Sequence, residues 1–136
     1  MFKKVLPLFL LASFLLCASA PAQVADANLQ ISSMEVNIWP EYDQPSVLVI
    51  YRVSFNSLTN FPSSVSFKIP TSAGNPYSVA MKDVDGLLYD LEYSVTPEGS
   101  WNRINFITST PDVQLEFYDP YLEEGNGVRS YTFRWI

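Results

Sequence analysis

The chain has 136 residues, enough for one domain, with 15% aromatic and 16% charged residues; that balance excludes a disordered chain, which is poor in rings and rich in charge. Fourteen acidic residues against eight basic ones leave a formal net charge of -6, which excludes a surface suited to nucleic-acid phosphates. Histidine is absent from the sequence, which excludes His-based triads, imidazole metal sites and imidazole pH switches.

Met1-Phe2-Lys3-Lys4 is a short cationic start. An apolar run from Val5 to Cys17 follows, interrupted only by Pro7 and Ser13, and then the small residues Ala18 to Ala22. This is the order of a secretory signal peptide. A product beginning with Pro21 suits a signal peptidase poorly, so cleavage is placed after Ala22. Residues 1–22 are then the signal peptide and 23–136 the exported domain, destined for an extracellular, periplasmic or cell-surface location. The apolar run falls short of the roughly 20 residues that a spanning helix needs. Leu16 precedes Cys17 where a lipid-modified cysteine follows a small residue, which speaks against lipidation. Cys17 is also the one cysteine of the sequence, so the domain after the leader has no disulfide and depends on its core.

From here the apolar residues recur with period two, the mark of strands. Met34, Val36 and Ile38 alternate with Glu35 and Asn37. Val47, Val49, Tyr51, Val53 and Phe55 form one face of a long run whose first half is apolar on both faces, as in a central strand. Val65, Phe67 and Ile69 form the next run, and Tyr77 to Met81 a weaker one. Leu87 to Val95 alternates as one strand. Ile104 with Phe106, Val113 to Phe117, and Tyr131, Phe133 and Trp135 complete the set. Turn signals rich in Pro, Gly, Asn and Asp separate these runs, among them 40–45, 70–76, 83–86, 97–99 and 119–127. The expected fold is all-β: an antiparallel β-sandwich of about eight strands, with an immunoglobulin-like or jelly-roll path. A closed barrel is the other architecture the pattern allows. The chain stops inside the alternation of Tyr131 to Trp135, so the sequence is expected to be the front part of a longer protein; a final strand tucked into the sheet is the alternative.

Chemistry-bearing residues are few. Asp83-Val84-Asp85-Gly86, with Asp90 beyond, could offer calcium some oxygen ligands. Leu87 and Leu88 stand where an EF-hand loop needs further ligands, and Asp-Gly is a common hairpin turn. Glu123 to Gly127 reads as a turn on the same grounds. Glu41, Asp43, Glu92, Glu98, Glu116 and Asp119 are available for two-carboxylate hydrolysis, but no spacing singles out a pair. G-x-S-x-G and S-x-x-K are both missing, so no nucleophile is assigned. The rings are the stronger signal. Trp39-Pro40-Glu41-Tyr42-Asp43 and Tyr118-Asp119-Pro120-Tyr121 mix aromatics with carboxylates in expected loops. Flat rings at loop tips stack on sugar C–H groups, whereas rings in strands pack in cores and cross-strand pairs. Trp39, Tyr42, Trp101, Tyr118 and Tyr121 are the candidate ligand-binding residues.

The order Val36-Asn37-Ile38-Trp39-Pro40-Glu41-Tyr42-Asp43-Gln44-Pro45-Ser46-Val47-Leu48-Val49-Ile50-Tyr51 resembles the start of an uncharacterised extracellular β-domain of environmental bacteria. Glu116 to Pro120 and Arg129 to Trp135 look like its closing strands. The resemblance covers most of the chain after the leader. It implies the exported front part of a larger, membrane-anchored protein, and it transfers no catalytic residue. The expected function is a non-enzymatic, envelope-associated interaction or structural module without a cofactor, its partner an envelope protein or a polysaccharide. The alternative is a carbohydrate-binding module that uses the loop aromatics.

Overall fold

Period-two alternation becomes a two-layered sandwich in the computed structural model, which describes residues 29–56 and 59–135. The expected signal peptide and its cleavage site lie outside the described residues. No helix among the described residues is long and apolar enough to cross a membrane. In chain order the strands are β1 (Ile31–Pro40), β2 (Val47–Phe55), β3 (Ser63–Pro70), β4 (Ser78–Lys82), β5 (Leu88–Asp90), β6 (Tyr93–Glu98), β7 (Trp101–Thr108), β8 (Asp112–Asp119), β9 (Glu123–Gly125) and β10 (Val128–Ser130). A 3-10 turn, Thr71–Ala73, joins β3 to β4.

One sheet has five strands in the order β1-β2-β8-β4-β5, and the facing sheet three in the order β3-β7-β6. Strands β9 and β10 pair separately as a hairpin, and every pairing among the described strands is antiparallel. β2 lies beside β8 in one layer and β3 beside β7 in the other. The β2-to-β3 crossing therefore runs alongside the β7-to-β8 crossing. Of the two paths open from the sequence, this double winding is the jelly-roll one.

The core lies between the layers. Val47, Val49, Tyr51, Val53 and Phe55 of β2 and Val113, Leu115 and Phe117 of β8 meet Val65 and Ile69 of β3 and Ile104 and Phe106 of β7. Tyr51 sits among Phe67, Phe117, Phe133 and Trp135, with ring centroids 5.3–6.5 Å away. Leu48 and Ile50, on the opposite face of β2, are also buried. Hence the first half of the central strand is buried on both faces, as its sequence requires, the outer pair lying low between side chains of the neighbouring strands with no further sheet above them.

Three expectations need correction. The run Leu87 to Val95 is two strands in different layers: β5 pairs with β4, β6 pairs with β7, and the chain changes sheet at Leu91 and Glu92. The alternation continues through the break, although of its apolar residues only Leu91 and Val95 pack against the core while Leu87, Leu88, Tyr89 and Tyr93 are exposed. Residues 119–127 are more than a turn, since 123–130 form the β9–β10 hairpin around Asn126 and Gly127, both at positive φ. Residues 131–135 are no strand. Tyr131 and Phe133 pack on the core, and the segment is held by the buried carboxylate of Asp119. The Tyr131 hydroxyl donates to Asp119 Oδ2 at 3.1 Å, and Arg134 lies 3.9 Å from the same oxygen. The spacing of these rings reflects one packed side without a hydrogen-bonded ladder. Burial raises the phenol pKa of both Tyr51 and Tyr131, and the Asp119 charge adds to it.

Candidate functional site: the outer face of the five-stranded sheet

Side chains alternate across a strand, so the even-facing residues that leave the core define an outer surface. On β1 these are Ser33, Glu35, Asn37 and Trp39, and on β2 Leu48, Ile50, Arg52 and Ser54. On β8 they are Asp112, Gln114, Glu116 and Tyr118. Register stacks them in rows. Trp39 lies opposite Leu48, and Leu48 opposite Tyr118. The next rows are Asn37, Ile50, Glu116 and Ser78, then Glu35, Arg52, Gln114, Ala80 and Asp90.

Aromatic rings gather at one end of this face. Tyr42, in the β1–β2 turn, places its ring 5.0 Å from that of Trp39. Tyr77, just before β4, meets Tyr118 edge-on at 5.5 Å. Trp39 is 39% exposed, Tyr42 63% and Tyr77 70%, so all three are open to a ligand. Leu48 fills the gap between the two ring pairs from beneath. The Tyr118 hydroxyl donates to Asp43, with oxygens at 2.8 and 2.9 Å. Burial first, and then this bond, push its pKa up to about 12. It therefore remains a neutral phenol across the physiological range. The turn bearing Tyr42 and Asp43 is pinned from outside by an ion pair between Glu41 and Arg129 of β10.

Further along the strands the face becomes polar. Asn37 donates to Glu35 Oε1 at 2.8 Å, and Glu35 lies 3.6 Å from the Arg52 guanidinium. Arg52 Nε donates to Gln114 Oε1 at 3.1 Å, and Gln114 Nε2 donates to Glu116 at 2.6 Å. Beyond this chain lies a trough of about 520 Å³ lined by Glu35, Arg52, Ser54, Lys82, Asp112 and Gln114. Ser54 donates to Asp112, while Lys82 makes no ion pair among the described residues.

Of the five candidate ring residues, Trp39, Tyr42 and Tyr118 come together here. Trp39 and Tyr118 are strand residues, in β1 and β8, and not the loop residues expected. They are exposed because their strands carry them on the face away from the core. Trp101 opens β7 on the outer face of the other sheet, opposite Glu98 and Pro70. Tyr121 follows β8 and is exposed, with the Arg134 guanidinium over one face of its ring at 5.3 Å. Neither joins the cluster. Asp83 and Asp85 form the β4–β5 turn, where Asp83 binds its own neighbours: its carboxylate accepts from the Val84 N–H and its carbonyl from the Gly86 N–H. Asp90 is in β5 and accepts from Ser78 at 3.4 Å. Among the described residues no group of three or more acidic, histidine or cysteine side chains could hold a metal ion.

Glu35, Arg52 and Gln114 were not singled out from the sequence. The available hint was Arg52, a lone charge on a strand face that begins with Leu48 and Ile50. Placing the others needs the register of strands far apart in the chain. No family model, curated protein or solved structure matches this chain.

Proposed function

We propose that the chain is a non-enzymatic, exported binding module of the cell envelope, and that the ring-bearing end of the five-stranded sheet is its contact surface for carbohydrate. The observation that carries this reading is the convergence of Trp39, Tyr42, Tyr77 and Tyr118 around Leu48 on one uncovered face. A core role does not account for rings as exposed as Trp39, Tyr42 and Tyr77. Ring faces stack on sugar C–H groups, and Asp43 together with Asn37 and Glu116 of the next row can take hydroxyls. The leader-like start of the sequence supports export.

The test is binding to a panel of immobilised polysaccharides. Trp39→Ala is expected to abolish retention, while Trp101→Ala, on the far sheet, keeps it. Failure of the unsubstituted protein to bind any polysaccharide, or equal loss from both variants, rejects the reading.

A further inference from the structure

The ring cluster occupies only one end of the outer face. We infer that this face holds an extended, uncharged, linear polysaccharide chain lying along the strands, its near end on the rings and its far end in the Glu35–Arg52–Gln114–Lys82 trough. This inference rests on the carbohydrate reading and names its ligand class.

Three observations carry it. First, the surface is continuous. From the Trp39 row to the Ser33 row is six residues of strand, about 20 Å at the rise of an antiparallel strand. That length suits several sugar units in line and exceeds one. Second, the charges of the trough balance. Arg52 and Lys82 face Glu35 and Asp112, in a chain whose net charge is -6. A polyanion would meet two carboxylates and a polycation two cations, so neither is favoured. Third, the polar groups are the right kind. Gln114, Arg52 and Lys82 supply donors, and Glu35 and Asp112 supply acceptors, side by side on adjacent strands. Vicinal sugar hydroxyls each donate and accept, so alternating partners satisfy a diol pair by pair. Equatorially linked hexose chains also present flat C–H faces to rings such as Trp39 and Tyr42 while turning hydroxyls sideways.

Calorimetry with disaccharides and hexasaccharides of β-1,4-linked glucan, xylan, mannan and chitin, with oligogalacturonate as the charged comparison, tests this. At least one neutral hexasaccharide is expected to bind about tenfold more tightly than its disaccharide. Gln114→Ala and, separately, Lys82→Ala should remove about that tenfold from the hexasaccharide and leave the disaccharide unchanged, the scale of one or two lost hydrogen bonds. Melting curves confirm that each variant folds. Equal affinity for short and long chains, both dependent on Trp39, overturns the extended site while the ring site stands. Binding of oligogalacturonate alone overturns the uncharged class. Absence of binding by every sugar overturns this inference and the carbohydrate reading together.

Discussion

Tyr118 shows how a single side chain records its surroundings. Its phenol is half-buried and donates to the ionised Asp43, so the neutral form is favoured in the folded state and its pKa rises from 10.0 to about 12. The resulting stabilisation is complete below the unfolded value and is lost as pH climbs through the folded one. In a tyrosine-labelled sample, the Tyr118 resonance should ionise close to pH 12, above the ordinary phenol value of 10.0. Asp43→Asn should lower that value only in part, because burial is the larger cause. Ionisation of Tyr118 at the ordinary phenol value of 10.0 would show that neither its burial nor the Asp43 contact holds in solution. The carboxylate and the ring were legible in the sequence as neighbours of expected loops. Their pairing was not, because it depends on the β1–β2 turn folding over the end of β8.

At the scale of elements, turn chemistry does much of the specification. Strands β6 and β7 are joined by Gly99 and Ser100, with Gly99 at φ 64. A glycine at the first central position with positive φ is what a type II′ hairpin requires. No atom lies within 4 Å of a Cβ built there, so the cost of Gly99→Ala is one of backbone conformation alone, about 1–2 kcal/mol. Gly125→Ala, where space is equally free and no positive φ is required, serves as the control and should leave the melting temperature nearly unchanged. Equal shifts in both variants would show that the hairpin geometry is not what Gly99 supplies. The neighbouring Pro97 is tolerated within β6 because that strand is an edge of its sheet. On the outer face Glu98 binds Arg103 and Lys68, staples the three strands together, and has its carboxyl held below the usual range chiefly by the Arg103 hydrogen bonds. Strands that alternate cleanly, such as β2, β7 and β8, were readable from spacing alone. The division of 87–95 was not, since period two is preserved when a chain passes from one layer to the next. Residues 131–135 misled for the opposite reason: rings spaced two apart line one packed side whether or not the backbone is paired.

For the whole molecule, stability rests on one apolar layer between two sheets, with no disulfide after Cys17 to assist it. Phe117 is fully buried at its centre and packs edge-on against Tyr51 at 5.3 Å. Phe117→Ala should therefore cost about 3–5 kcal/mol. The check is a lower urea midpoint in one cooperative transition, and a change below 1 kcal/mol would place Phe117 outside the core. The buried Asp119 ties this layer to the segment that closes it, through Tyr131, Ser72 and Arg134. The shell of rings around Tyr51 draws on β3, β8 and residues 133 and 135. Its last members lie some eighty residues further along the chain than Tyr51 itself. The native layer is consequently complete only once Tyr131 and Phe133 have docked against it, which makes that late, unpaired segment the latch of the whole sandwich.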